Sequence, residues 1–306
     1  MRAARVTRFG PPSVITIDDL PRPEAGAGQL VVRTKAAGAG NWDALIRSGT
    51  IKLQPLPIIL GSELAGIVES VEPKVSGFKK GDAVYGATNP QFSGATAEYA
   101  IASAQMMAQK PTTLDFIEAA SVPVVAVTAW QMLFEYAGAA AGQTVLILGG
   151  AGNVGAYAVQ MAVQAGLRVT ATSGSADIDY VRGLGAERVV DYRKEPFEDS
   201  LGDFDIVLDT VGGETQRRGL RVLKPGGILV SSVSEVADAG GIRTAYFVVE
   251  VTTARLNKIT ELIDGGKLVT NVGTVLPLEQ ARIAHEMLEG ARHERGKIVL
   301  TMQERS

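Results

Sequence analysis

The sequence predicts an α/β protein in which a β-rich domain accompanies a doubly wound parallel sheet. Three observations carry that class. Residues 144 to 160, TVLILGGAGNVGAYAVQ, run from an apolar strand through a glycine cluster into a longer apolar segment. From there to about residue 251, strand-like and helix-like stretches alternate, whereas residues 1 to about 110 are short β-forming runs punctuated by Gly and Pro. The chain has 306 residues, room for two domains at roughly 150 residues each.

The β-rich part reads as RAARVTRF, VITIDDL, QLVVRTKAAG, ELAGIVESVE, DAVYGAT and ATAEYAIA, strong β-formers with frequent turn signals that suit a barrel-like or sandwich-like domain. LDFIEAAS and VVAVTAWQMLFEYAGA then have helical length and spacing, with Pro123 placed to start the second helix. After Gly142, strands are expected at 144–149, 168–173, 188–191, 204–209, 227–232 and 245–251, with helices starting near 153, 176, 214 and 253. Strands such as VLIL, IVLD and ILVS are apolar on both faces, as in a parallel sheet covered by helices. The last forty residues give a short strand, the amphipathic helix LEQARIAHEMLEG and a closing strand KIVLTM. That strand is placed to rejoin the N-terminal β domain and make it discontinuous.

Composition narrows the function classes. Hydrophobic residues are 46% and charged ones 21%, and a net charge of −3 leaves no basic stripe for nucleic acid or anionic lipid. No apolar run approaches the ~18 to 20 residues of a membrane span, and the start MRAARVTRFGPPS lacks the apolar core of a signal peptide, so a soluble cytoplasmic protein is expected. There is no cysteine, which removes disulfides, thiolate catalysis and sulfur-ligated zinc. The two histidines, His285 and His293, lie near the C-terminus and read as surface residues; a Ser-His-Asp hydrolase has little to work with.

Gly150, Gly152 and Gly155 stand in G-x-G-x-x-G register, with Asn153 and Val154 opening the following helix. Behind a strand and ahead of a helix, those glycines serve a tight turn, close approach to a pyrophosphate and close helix packing. The second strand should then show which dinucleotide is held. An NAD enzyme usually places an acid at its end. Here it ends VTATSGS, and the first carboxylate is Asp177. Ser173 and Ser175 leave room for a 2′-phosphate and can donate to it, so NADP is expected. Arg193 and Lys194, beside Tyr192, are the local cations; they serve equally as phosphate ligands or as solvated loop charges.

Together these segments resemble the zinc-independent quinone oxidoreductase branch, which includes zeta-crystallin, of the medium-chain dehydrogenase/reductase superfamily. The resemblance spans essentially the whole chain and rests on AAGAGNWDALIRSG (36–49), PIILGSELAGIVESV (57–71), FKKGDAVYG (78–86), AASVPVVAVTAW (119–130), the glycine cluster, LGAERVVDYR (184–193), DTVGG (209–213), LKPGGILV (223–230) and GKIVL (296–300). It implies a GroES-like catalytic domain from residues 1–122 and 266–306, a Rossmann domain over 123–265 and an active site in the cleft. It also implies NADPH as hydride donor to a quinone or an enone. The metal-using branch has a cysteine and a Gly-His-Glu where this chain has Gly40 and Gly61-Ser62-Glu63, which argues against a catalytic zinc.

By the same resemblance Thr128 lies beside the nicotinamide, Gly150 to Gly155 hold the pyrophosphate, and Ser173, Gly174 and Tyr192 surround the 2′-phosphate. Phe247 and Val248 supply backbone to the carboxamide. Two departures stand out: many relatives have asparagine where Gly40 stands, a role lost or moved to Asn41, and many carry a basic residue near Ala176.

Without a metal, the substrate oxygen must be stabilised by hydrogen bonds. Asn41, Ser62, Tyr85 and Asn89 are candidates, though Tyr85 reads more readily as a packed strand residue. Trp42 serves either as an apolar wall or as core, Asp43 suits a helix cap, and Phe92 in the polar loop NPQFSG suits a pocket lining. No proton donor is identified. The leading expectation is a metal-independent NADPH-dependent quinone or enone reductase; an enoyl-thioester reductase and an NADPH-binding sensor or structural protein are the alternatives. An apolar edge strand AYFVVEV suggests a homodimer.

Overall fold

In the computed structural model, which describes residues 1–236 and 239–302, the first third of the chain is strand after strand. β1 (Arg2–Val6), β2 (Thr16–Asp19) and β3 (Gln29–Ala39) lead into helix α1 (Asn41–Ser48). β4 (Ile58–Ile59), β5 (Glu63–Val71), β6 (Ala83–Ala87), β7 (Tyr99–Ser103), β8 (Met107–Gln109) and α2 (Phe116–Ala120) follow. The eleven-residue β3 is the spine, pairing antiparallel with both β5 and β7. β1 lies between β2 and β4 in a small separate sheet. α2 begins where Asp115 and Glu118 satisfy each other's backbone N–H, a reciprocal capping box (2.8 and 2.9 Å).

α3 (Pro123–Trp130) starts on its proline and runs into a π-helical stretch, Gln131–Tyr136. Next come β9 (Thr144–Leu148), α4 (Asn153–Gln164), β10 (Arg168–Ser173), α5 (Ile178–Gly183), β11 (Arg188–Asp191), α6 (Phe197–Ser200), β12 (Phe204–Asp209), α7 (Gly213–Leu220), β13 (Leu223–Ser231) and β14 (Arg243–Tyr246). The six strands are all parallel, in the order β11-β10-β9-β12-β13-β14, the doubly wound nucleotide-binding order. Leu146, Leu148, Val207 and Leu229 on the strands pack with Phe197, Phe204 and Val222 into one apolar cluster. α4 is buried from Gly155 to Ala162, as its nearly uniform apolar sequence requires.

The last strand is shorter than the 245–251 expected. After Tyr246 the Phe247 ring turns in to stack on Tyr136, centroids 4.3 Å apart and planes 17° apart. Glu250 N–H donates to the Gln131 side chain (2.9 Å), so the segment's backbone is bonded away from the β13 ladder.

The chain then returns with α8 (Thr253–Asp264), β15 (Val272–Pro277), α9 (Ala281–Leu288) and β16 (Lys297–Thr301). β16 pairs antiparallel with β3, Ile298 opposite Ala39 and Thr301 opposite Ala36, and parallel with β15. The terminal strand thereby completes a seven-stranded sheet with β15, β3, β5, β6, β7 and β8. The guanidinium of fully buried Arg47 ties α1 to α9, donating to His285 Nδ1 (3.3 Å) and the Gly10 carbonyl (2.6 Å) and pairing with Glu289.

Two compact units result: Met1–Val124 with the chain from Val251 onward, and Val125–Glu250. α8 belongs with the β-rich unit because its side of the chain is bonded there. Thr253 Oγ1 donates to the Met107 carbonyl (2.7 Å), Tyr85 OH to the Leu256 carbonyl (2.8 Å), and Asp264 accepts from the N–H groups of Thr112 and Thr113 (both 3.1 Å). Among the described residues, no helix is long and apolar enough to cross a membrane.

Candidate active site

The glycine cluster sits at the head of the parallel sheet, between β9 and α4. Gly149 makes the turn with φ of +83°, a conformation that side chains rarely adopt. Each fingerprint glycine then has its own constraint. A methyl group on Gly150 would come within 2.8 Å of Ala171 Cβ, and one on Gly155 would overlap the Gly149 carbonyl oxygen. Gly152 is different: its φ of −73° and ψ of 167° suit any residue, and an added Cβ would meet only the Gly149 oxygen at 3.3 Å. That position leaves the approach to the helix open.

The N–H groups of Asn153, Val154 and Gly155 stand ahead of the first hydrogen bond of the helix, Ala156 N–H to the Gly152 carbonyl (2.9 Å). Unpaired donors at the positive end of a twelve-residue helix, under an uncovered glycine, fit a pyrophosphate. The neighbouring DTVGG loop is fixed by buried Asp209, a role the sequence reading missed. Its carboxylate accepts from Val211 N–H (3.0 Å), Gly212 N–H (2.8 Å), Gln216 Nε2 (3.0 Å) and Ser231 Oγ (2.8 Å).

At the end of β10, Ser173 is buried opposite Asp191 of β11, and its hydroxyl donates to the Gly174 carbonyl (3.2 Å). Ser175 donates to the Asp191 carboxylate, which also accepts from Arg193 N–H (3.1 Å) and pairs with Lys194 (3.5 Å). The Ser175 hydrogen bond is the main reason that Asp191 stays below the usual carboxylate range. Both serine hydroxyls are thus engaged within the protein. Tyr192 is exposed, with the Arg193 guanidinium 5.6 Å from its ring centroid. Elsewhere in this unit Thr128 is buried on α3, Phe247 is buried in its stack with Tyr136, and Val248 is exposed.

In the β-rich unit, the first turn of α1 organises a second cluster. Asn41 is exposed at the helix start. Asp43, two residues on, is buried and caps the turn by accepting from Gly40 N–H (2.8 Å), as its residue type suggested, but it also accepts from Ser62 Oγ (2.6 Å). Burial raises the Asp43 carboxyl to about 6, against the opposing pull of the Ser62 bond and of Lys297. Ser62 Oγ lies 3.3 Å from the Phe92 carbonyl, and the buried Phe92 ring meets Trp42 edge-on, centroids 5.9 Å apart at 72°.

Phe92 reaches that position with φ of +52°, a strained state for a bulky residue and a mark of sites under functional constraint. Asn89 holds the loop: Nδ2 donates to the Ser93 carbonyl (2.8 Å) and Oδ1 accepts from Gln91 N–H (2.9 Å), so both ends of its amide are used locally. The buried indole N–H of Trp42 has no hydrogen-bond partner among the described residues. The structure therefore brings Trp42, Ser62 and Phe92 together with Asp43, and leaves Asn41 and Asn89 outside that contact. Tyr85 is buried under α8, its hydroxyl bonded to Leu256 and Thr260 and its pKa pushed up by burial.

Glu63 follows Ser62 and is buried with Lys297 of β16 as its ion-pair partner; it also accepts from Val124 N–H (2.7 Å). A cation is already supplied to this carboxylate by the chain itself. Among the described residues, no group of three or more His, Asp or Glu side chains is placed to hold a metal ion.

Residues 26–112 match the family model for the alcohol dehydrogenase GroES-like domain, and residues 184–300 match the one described as zinc-binding dehydrogenase. The chain is 31% identical to the quinone oxidoreductase of Mus musculus, over 99% of this chain and 98% of that one. It belongs to the quinone oxidoreductase branch of the medium-chain dehydrogenase/reductase superfamily. A second relative in the superfamily is the NADPH-dependent alkenal/one oxidoreductase of Arabidopsis thaliana, 32% identical over 98% of this chain and 79% of that protein. The solved quinone oxidoreductase of Coxiella burnetii superposes with a TM-score of 0.93 at 32% identity, covering 99% of both chains. The two-domain α/β fold of that superfamily is the one the sequence predicted.

Proposed function

We propose that this chain is an NADPH-dependent oxidoreductase that passes hydride to a quinone or to the activated alkene of an enone, with no metal ion in the reaction. The observation that carries it is the open glycine cradle over the unpaired N–H groups of α4, in a chain that matches quinone and alkenal/one oxidoreductases along nearly its whole length. When bound, NADPH supplies the hydride.

The protein's share is binding, orientation and stabilisation of charge. The turn from Gly149 to Gly155 holds the pyrophosphate, Thr128 lies beside the nicotinamide, and the backbone at Phe247 and Val248 reaches its carboxamide. Trp42 and Phe92 form an apolar wall for a flat substrate. Ser62, its hydroxyl directed at Asp43, stands at the same cluster as a hydrogen-bonding group for the substrate oxygen. The metal-free reading is supported by the donor set: there is no cysteine, no histidine before His285, and Lys297 already neutralises Glu63. We also take the enzyme as a cytoplasmic homodimer, since β14 is an edge strand with Tyr246 exposed beside it; a monomer in light scattering would remove that part.

Oxidation of NADPH should follow addition of simple quinones and short enones, and should survive exhaustive chelation. Cofactor binding with no turnover on quinones, enones or crotonyl thioesters would refute a reductase. Activity abolished by chelation and restored by zinc would refute the metal-free mechanism.

A further inference from the structure

The cofactor reading leaves a phosphate without an obvious cation, because Ala176 stands where many relatives carry a basic residue. Two cations follow β11, and the structure separates them. The Lys194 ammonium is 3.5 Å from buried Asp191, whose carboxylate also takes the Ser175 hydroxyl. Lys194 is therefore already committed to a carboxylate. Arg193 is exposed, and among the described residues its guanidinium has no ion pair and no hydrogen-bond partner; its one contact of note is with the Tyr192 ring.

The guanidinium is also in a telling place. It lies beside Gly174, directly after the second strand of the nucleotide-binding sheet, where ribose recognition occurs in this fold. A Cβ on Gly174 would find Arg193 Cζ at 3.7 Å, Nε at 3.8 Å and Nη2 at 3.9 Å, and no other neighbour as near. The backbone at Gly174 has φ of −77° and ψ of 160°, which any residue adopts, so glycine is not there for its conformation. What its missing side chain provides is space between the β10 terminus and a planar, five-donor cation. Tyr192 and the exposed residues Ser175 and Ala176 border the same spot.

We propose that Arg193 is the residue that grips the 2′-phosphate of NADPH and sets the preference for NADPH over NADH, in the gap kept open by Gly174. The inference rests on the cofactor reading above. The one nearby carboxylate does not oppose it: Asp191 is turned inward by Ser175 and the Arg193 N–H and neutralised by Lys194. A guanidinium suits the phosphate because its donors pair bidentately with the oxygens.

The test is fluorescence titration of NADPH and NADH, with calorimetric titration of 2′,5′-ADP against 5′-AMP as a readout that needs no turnover. Arg193→Ala should weaken NADPH and 2′,5′-ADP by about 10- to 100-fold, the range of a charge-assisted pair, and leave NADH and 5′-AMP within about twofold. Arg193→Lys should recover part of the loss. Lys194→Ala should leave NADPH affinity within about twofold. The proposal is overturned if Arg193→Ala weakens both cofactors equally or neither, or if Lys194→Ala carries the NADPH loss instead. Failure of the cofactor reading looks different: the unmodified protein would then bind neither dinucleotide.

Discussion

Replacing Gly152 by alanine should separate cofactor binding from folding. Gly152 has extended backbone angles, so the methyl group adds no strain, and its nearest neighbour would be the Gly149 carbonyl oxygen at 3.3 Å. That contact needs a shift of a few tenths of an ångström, and a Gly→Ala change at compatible angles regains about 0.4–1 kcal/mol from the unfolded chain. Stability should therefore stay within about 1 kcal/mol, or about 3 °C in melting temperature. The same methyl stands over the N–H groups of Asn153, Val154 and Gly155, where a pyrophosphate must come to hydrogen-bond distance. Loss or lengthening of one or two charge-assisted bonds, at about 1.5–3 kcal/mol each, weakens NADPH by about 100-fold. Gly155→Ala is the contrast, because its methyl would overlap the Gly149 oxygen and force α4 off the strand; it should lower the melting temperature sharply. Thermal melts and NADPH titration on both variants give the answer. If Gly152→Ala binds NADPH as tightly as the unmodified chain at an unchanged melting temperature, the cradle is not the nucleotide site.

Lys297→Met leaves Glu63 buried without its cation and should cost about 3–5 kcal/mol in urea unfolding, while adding Glu63→Gln should recover most of it. Acid stability should depend on two opposed groups. His285 is held down to about 3 by burial and by Arg47, so the unfolded chain takes its proton first and stability falls as pH drops below about 6.5, by up to about 5 kcal/mol at pH 3. Asp43, raised to about 6, takes a proton in the folded state first and returns up to about 3 kcal/mol between pH 6 and 4. Asp43→Asn should consequently make urea midpoints fall between pH 6.5 and 4.5, where the unmodified chain stays nearly level from these two groups; equal profiles would contradict the assignment. Tyr85→Phe should cost about 1–2 kcal/mol through the lost bonds to Leu256 and Thr260 and leave turnover per folded molecule unchanged.

The sequence made the nucleotide half legible because its signals are local. A strand, a glycine turn and a helix follow one another within seventeen residues, and each glycine is constrained by atoms of that same unit or the next strand. The cap by Asp43 was legible for the same reason. What sequence reasoning could not reach depends on long-range placement. Arg193 and Lys194 are neighbours of like charge, and only the position of Asp191 and Ser175 shows that one is spent on a carboxylate and the other is not. Phe92 in a polar loop suggested a pocket, but its left-handed backbone and its contact with Trp42 arise from bonds that cross from residue 62 to residue 92.

Gly40 shows the difference most directly. Against relatives that carry asparagine there, the glycine read as a lost substrate contact. In the structure a Cβ at residue 40 would stand 3.0 Å from Lys297 Nζ, with Asp43 Oδ2 at 4.0 Å. The space belongs to the ammonium. That ammonium arrives from the closing strand β16, which pairs with β3 so that Lys297 lies next to the residue opposite Ala39. One missing side chain near the start of the chain thus admits a cation from its end, and that cation neutralises Glu63 beside Ser62. The motif that would hold a metal in a cysteine- and histidine-bearing relative is here closed by an internal ion pair. What it leaves for a substrate oxygen is hydrogen bonding, and the groups nearest to offer it are Ser62 and the unpaired Trp42 indole.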